Sequence, residues 1–301
     1  MNFKVFVCEC LRPFLQLLPT GRHRVLRMIG AGGREDPEWN NLARPYRVFF
    51  DRGIQAYVWA DLTDWGARWH YYCGAYYDPT NQQLIKRLLR PGDTFVDVGA
   101  NFGIHSILAS HAVGATGKVY CFEPNPRTFD VLKAHAVINN LQNCTLFHMG
   151  LSEVAGQLSL SGSDHAGTYT LRKVSDAATT MQVKIGVADE VLADAALPGK
   201  ILVKIDTEGF EHHVLRGMQL LRRRLNVAFL VEITDEWLKE TGSSATSLIE
   251  DMHSDGFIAY HPRLRYPRLK RGMTLDSAYD AGTYQYDLLF AKPDFMKSTS
   301  F

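Results

Sequence analysis

No two cysteines in this sequence are spaced C-x-x-C, and the five present (Cys8, Cys10, Cys73, Cys121, Cys144) are an odd number. A disulfide framework and a tetrahedral zinc site are therefore not expected, and a reducing cytoplasm is the simplest home. No apolar run approaches the ~18 residues that a membrane-spanning helix needs. The opening segment MNFKVFVCECLRPFLQLLP is broken by Lys4, Glu9 and Arg12 and lacks the pattern of a cleaved leader. Net charge is nearly absent too: 33 Lys and Arg against 32 Asp and Glu leave +1. A surface built to hold a nucleic-acid backbone wants a concentrated basic excess, so nucleic acid is not an expected partner. Repeats and low-complexity tracts are also missing. What remains is 301 residues of ordinary globular composition, 46% hydrophobic, long enough for one large domain with one elaboration.

The texture changes along the chain. Residues 1–80 are irregular and aromatic, and are expected to form an N-terminal cap; residues 81–301 are expected to form the main domain. The first segment reads as a short helix packed on that domain. Contact with a membrane surface is the alternative, since Arg12, Arg22, Arg24 and Arg27 accompany it. Trp59, Trp65, Trp69, Tyr71, Tyr72, Tyr76 and Tyr77 suit either the core of a cap or a stacking platform for an acceptor ring.

From residue 91 onward, short apolar runs alternate with helical spacing. TFVDVG (94–99), GKVYCFEP (117–124), CTLFHM (144–149), ILVKID (201–206) and NVAFLVEI (226–233) read as strands. Helices are expected over 102–113, 126–140, about 210–224 and 244–255. QLSL (157–160) and MQVKI (181–185) read as a small strand insertion, and FIAYH (257–261) with YDLLFAK (286–292) as an antiparallel edge. Strands alternating with helices of this length imply βαβ units, and hence a parallel sheet covered on both faces: an α/β, Rossmann-like fold.

In such a sheet, ligands bind beyond the carboxyl ends of the strands. There the sequence collects Asp97-Val98-Gly99-Ala100-Asn101-Phe102-Gly103, Glu123, Asp206 with Glu208, and Glu232 with Asp235. Gly99 and Gly103 allow a tight turn with close approach of a ligand, and the helix start beyond favours an anionic group. Glu123, about 20 residues on, is placed to accept both hydroxyls of a ribose. A nucleoside cofactor is expected. A dinucleotide site wants G-x-G-x-x-G, but Asn101 stands at the second glycine, and S-adenosylmethionine fits better than a nicotinamide dinucleotide.

The set FVDVGANFGIHS, FEPNP, GLSE, VKIDTEGFE and VEI resembles the FkbM family of S-adenosylmethionine-dependent methyltransferases over about residues 80–292. The resemblance implies the seven-stranded class I methyltransferase sheet, mostly parallel with an antiparallel last strand. It implies methyl transfer to a hydroxyl of a sugar, glycan or secondary metabolite. It matches Asp97, Gly99, Asn101, Phe102 and Gly103 to the cofactor's amino-acid end, and Glu123 to its ribose. Gly150, Leu151 and Ser152 match the segment beside the adenine. Asp206, Glu208, Gly209 and Glu211 match the strand end that faces the methyl group. Phe210 departs from the small residue common there, which narrows the acceptor pocket.

A hydroxyl is a poor acid, so transfer to it needs a base touching its proton, or a metal. Asp206 is the first candidate base, Glu208 is grouped with it, and His212, with His213 beside it, is the alternative. Asp206 and Glu232 together suit Mg²⁺, a hard cation with oxygen ligands. Capping of the following helix is the competing reading of Asp206, dipole stabilisation that of Glu208 and Glu211. His105 either faces the cofactor or packs its helix. The basic run Arg263, Arg265, Arg268, Lys270, Arg271 reads as a solvated loop, or as a seat for an anionic acceptor. A binding protein without transferase activity and a nicotinamide oxidoreductase are the competing functions.

Overall fold

The computed structural model describes residues 3–18, 21–31, 33, 39, 42–76, 78–162, 169–170, 179–265, 272–276 and 285–297. The chain forms two compact units, residues 1–79 with 162–168, and residues 80–161 with 169–301.

The first unit contains helices α1 (Phe3–Leu17) and α2 (Arg22–Met28), an antiparallel hairpin of β1 (Tyr46–Asp51) and β2 (Ala56–Asp61), and helix α3 (Trp65–Cys73). Asp64 caps α3 by accepting from the Ala67 N–H, and Gly74 ends it in the left-handed conformation. Tyr71, Tyr72, Phe49 and Trp39 are buried here, so part of the aromatic stretch is core; Tyr77 lies outside the described residues. A fully buried cation sits among them. The Arg68 guanidinium donates to the carbonyl oxygens of Ala31, Leu62 and Gly33 and lies over the Trp39 ring, which meets the demand of a buried charge for partners.

The second unit opens with α4 (Pro79–Leu88) and continues through β3 (Thr94–Val98), α5 (Ile104–Val113), β4 (Lys118–Phe122), α6 (Pro126–Ile138) and β5 (Cys144–Phe147). After β6 (Gly150–Leu151), β7 (Gly156–Gly162), β8 (Tyr169–Thr170), β9 (Thr179–Gly186) and α7 (Ala188–Val191) comes β10 (Ile201–Ile205). Then follow α8 (Glu211–Arg216), α9 (Gln219–Arg222), β11 (Val227–Ile233), α10 (Asp235–Glu240) and α11 (Ala245–Ser254). The unit closes with β12 (Ile258–Arg265), β13 (Gly272–Asp276), β14 (Tyr286–Ala291) and α12 (Pro293–Lys297).

The main sheet runs β5-β4-β3-β10-β11-β14-β12, with β13 added at the edge. β5, β4, β3, β10 and β11 pair in parallel, and β14, the last strand of the chain, is antiparallel to both its neighbours. This is the seven-stranded class I methyltransferase sheet. The eighth strand is an addition the sequence did not suggest: β12 continues past His261 to Arg265 and pairs with β13. Of the basic run, Arg268, Lys270 and Arg271 lie outside the described residues.

Every residue of β3 and β10 is buried, as continuous apolar runs require when both faces are covered. On one face Val96, Val98, Ile201, Val203, Ile205, Phe229 and Val231 pack beneath Val214, Leu215, Leu221, Leu248 and Met252 of α8, α9 and α11. On the other, α5 packs across β3 and β4. Because β3 has β4 on one side and β10 on the other, the chain reverses direction there, and the crevice at those strand ends is where a ligand belongs.

One local expectation needs correction. The helix expected over 210–224 is two helices, because Gly217 rests on the Ser152 carbonyl: a Cβ there would lie 2.3 Å from that oxygen. Gly150 and Leu151 form strand β6, paired in parallel with Ile185 and Gly186 of β9 in a small sheet ordered β6-β9-β7-β8.

Candidate active site

The turn after β3 is left-handed at three of its five residues: Gly99 (φ 78°), Asn101 (φ 51°) and Gly103 (φ 80°). At Gly99 this is obligatory, since a Cβ would stand 1.9 Å from the Asp206 carbonyl oxygen. The N–H groups of Gly99 and Ala100 both donate to the Phe122 carbonyl, which pins the turn to the end of β4. Phe102 is held through its carbonyl, 2.6 Å from His135 Nδ1.

Glu123 spans this turn. Its Oε2 accepts from the Asn101 N–H and its Oε1 from the Asn125 N–H, both at 2.8 Å. Burial pushes its pKa up to about 7, against the Asn125 N–H, the Thr128 hydroxyl and the Asn101 N–H, which favour the charged form. Each oxygen keeps a lone pair for a further donor. Asp97 is buried beneath, with Oδ2 accepting from the Ser106 hydroxyl at 2.5 Å. Asp97 Oδ1, Asn101 Oδ1 and Asn125 Nδ2 are buried with no hydrogen-bond partner among the described residues. Two acceptors and a donor are thus left open around one turn, an arrangement that suits a polar ligand.

Asp206 follows β10 directly. Its Oδ2 lies 2.8 Å from the ammonium of Lys204, and 33% of its side chain is exposed, enough for an acceptor to reach it. Burial raises its pKa, but Lys204 outweighs burial and the net shift is downward. Glu232, at the end of β11, is the opposite case. Burial and then the charges of Asp206, Asp287 and Glu208 push its pKa well above the carboxylate range, and it hydrogen-bonds Asp206. The two carboxyls are thus shifted in opposite directions, Asp206 toward the ionised form and Glu232 toward the protonated one. Burial opposes the Lys204 ammonium as well, but Asp206, Asp97 and Glu232 hold it charged. His105, on the first turn of α5, is also within electrostatic range of Asp206.

Glu208 adopts φ 57°, an uncommon conformation for a residue with a side chain, and Gly209 follows at φ 108°. Glu211 enforces the bend. Its buried Oε1 accepts from the Thr207 N–H, the Thr207 hydroxyl and the Gly209 N–H. The role of Glu211 is thus in the backbone, while Glu208 is brought near the Asp206–Glu232 pair.

Two expectations are not met. His212 is no free base: Nδ1 sits 2.5 Å from the Ser243 hydroxyl and Nε2 3.2 Å from Asp251 Oδ2, so both ring nitrogens are engaged toward α11. His213 is likewise held by Glu153 and the Thr241 carbonyl. Mg²⁺ at Asp206 and Glu232 is not supported, because the Lys204 ammonium already occupies Asp206 Oδ2 at 2.8 Å. Among the described residues no group of three or more His, Cys, Asp or Glu is placed to hold a metal ion. Gly150, Leu151 and Ser152 are all buried, with Leu151 in the apolar core beneath α8 and the Ser152 carbonyl against Gly217.

Lys204 is the residue that the sequence reading passed over. Its signal was available: a lysine inside the run ILVKI must be buried with the strand, and a buried ammonium demands carboxylate partners.

Residues 97–259, more than half of the chain, match the family described as the methyltransferase FkbM domain. Two curated relatives share part of it. The hexuronic acid methyltransferase AglP of Haloferax volcanii is 31% identical over 156 residues, 50% of this chain and 62% of that protein. The 31-O-demethyl-FK506 methyltransferase FkbM of Streptomyces tacrolimicus is 28% identical over 160 residues, 44% of this chain and 61% of that protein. The chain thus spans about three fifths of the length of each. A solved FkbM methyltransferase from Methylobacillus flagellatus aligns with 89% of this chain and 60% of its own, at 16% identity and a TM-score of 0.41. The matched interval begins at Asp97 and contains the left-handed turn, Glu123, Asp206 and Glu232; with more than half of its residues matched, the chain belongs to the FkbM methyltransferase family.

Proposed function

We propose that this protein transfers a methyl group from S-adenosylmethionine to a hydroxyl oxygen of a sugar, glycan or secondary metabolite. The observation that carries the reading is the Lys204–Asp206–Glu232 cluster, in which a partly exposed carboxylate, paired with a buried ammonium, stands at the strand end beside the Gly99–Gly103 turn. The relatives' names, a hexuronic acid methyltransferase and a 31-O-demethyl-FK506 methyltransferase, support an oxygen acceptor.

The residues around the turn fit the cofactor. Asp97 Oδ1 and Asn101 Oδ1 suit an amino group, and Glu123 has lone pairs for the hydroxyls of a ribose. When bound, S-adenosylmethionine supplies an activated methyl group, which leaves the protein to align the acceptor and take its proton. Asp206 accepts a hydrogen bond from the acceptor hydroxyl and so fixes the oxygen's direction. As the oxygen loses its proton, the carboxylate pair receives it, and Lys204 keeps Asp206 ionised until that moment.

The test is transfer of labelled methyl from S-adenosylmethionine to a panel of uronic acids, glycans and macrolides. Asp206→Asn should lower the rate ~10²–10⁴-fold while binding of S-adenosylhomocysteine, followed by calorimetry, is retained. Wild-type turnover by that variant would remove Asp206 from the reaction. Tight NAD binding with no binding of S-adenosylhomocysteine would overturn the whole reading.

A further inference from the structure

The first unit carries a helix that is apolar on its outward side as well as its inward one, where Val5, Cys8 and Leu15 are buried. Every exposed position of α1 is apolar: Phe3, Phe6, Cys10, Pro13, Phe14 and Leu17. At 100° per residue they fall within one narrow stripe, with Phe3 78%, Phe14 67% and Leu17 80% exposed. Polar side chains of α1 point the other way and fasten it to its own unit. Glu9 takes Arg47 at 2.9 Å and the Tyr71 hydroxyl at 2.8 Å. Arg12 donates to the Tyr71 carbonyl and lies over its ring, and Gln16 donates to the same carbonyl. A surface helix normally keeps its outward side polar; here Val5, Cys8 and Leu15 with these polar contacts hold the helix down, and a second, aromatic stripe faces outward.

Charge says what covers it. Residues 3–28 contain five cations against Glu9 alone, which Arg47 already pairs; Arg12 is turned inward onto Tyr71 and Arg22 donates to the Leu18 and Cys73 carbonyls, so the outward charge rests on Arg24 and Arg27. Arg24 and Arg27 are exposed on α2, beside Met28 at 85% exposure. A second copy of this face would bring the same positive charge against itself, which opposes self-association. We infer that α1 and α2 dock on an anionic lipid bilayer, with the phenylalanine stripe entering the headgroup boundary and the arginines meeting anionic headgroups. The helix lies on the surface: its 15 residues rise only about 22 Å, and among the described residues no helix is long and apolar enough to cross a membrane.

Sedimentation of the full chain with vesicles tests this. Binding is expected to vesicles of phosphatidylcholine and phosphatidylglycerol in equal amounts, weaker binding to phosphatidylcholine alone, and release as salt is raised. Phe6→Ser, Phe14→Ser and Leu17→Ser should each weaken partitioning about five- to tenfold. Arg24→Ala and Arg27→Ala should each weaken it about fivefold on the anionic vesicles only. All five positions are exposed, so far-ultraviolet circular dichroism and the melting temperature should match wild type. The arginine variants read the surface even where a serine variant fails to fold. Wild type left in the supernatant with both vesicles overturns the inference. So does equal binding by Phe14→Ser, or a dimer in sedimentation velocity that Phe14→Ser dissociates, which would make the stripe an interface between copies.

Discussion

Lys204 decides the protonation of everything around it. Lys204→Met removes the cation that holds Asp206 ionised, so the carboxylate pair should bind a proton more tightly and the pH at which transfer begins should move upward. Stability should fall by about 1–3 kcal/mol, less than for a fully buried pair because Asp206 is partly solvated; a pH–rate profile and a urea titration read the two effects. Glu123 gives a second pH dependence. Its folded pKa of about 7 lies above the ordinary 4.5, so the folded state binds that proton more tightly than the unfolded chain does. Its stabilising contribution is complete below the unfolded value and is lost as pH rises through about 7. Urea unfolding without ligand should show stability falling by up to about 3 kcal/mol across that window, with a flatter dependence in Glu123→Gln. At this scale the sequence was informative about which carboxylates reach the strand ends, since strand-end position is set by local pattern. It did not reveal that Glu211 folds back onto Thr207 and Gly209, or that His212 faces Ser243 and Asp251, because those contacts depend on which way a helix is rotated.

Among the elements, the strands were the most legible. TFVDV, KVYCF, ILVKI and VAFLVEI are buried on both faces, and no alternating surface strand has that composition. The helix read over 126–140 is α6, which opens at Pro126 with the Asn125 side chain accepting from the Arg127 N–H. The break between α8 and α9 was not legible, since Gly217 alone in a helical pattern does not reveal that the Ser152 carbonyl occupies its missing side chain's place. Gly217→Ala therefore serves as a test of that contact. A good helix former at this position should nonetheless destabilise the protein, by about 1–3 kcal/mol, because the obstacle is main chain and cannot rotate aside. A stabilised Gly217→Ala in chemical denaturation would show the contact to be loose.

For the molecule as a whole, the family match lies in the second unit apart from residues 162–168, and the first unit has its own buried Trp39, Arg68 and Tyr72. A nucleoside ligand should accordingly act on one unit. S-adenosylhomocysteine at about 100 times its Kd should stabilise the second unit by about 2.7 kcal/mol, seen as a raised transition in scanning calorimetry; an unmoved transition would remove the nucleoside site. The organisation of the second unit was readable because βαβ repetition permits few topologies. The first unit was not, because its irregular aromatic sequence fits several packings equally well.

The ends of β3 and β10 are joined more closely than strand pairing demands: the Asp206 N–H donates to the Val98 carbonyl, and the Asp206 carbonyl fills the space where Gly99 has no side chain. The ledge that would cradle a nucleoside and the carboxylate that would meet an acceptor are therefore one seam of main chain, unable to slide independently. Diversification toward new acceptors cannot proceed by resizing that seam. It must come from the loops that overhang it, which leaves the chemistry constant while the guest changes.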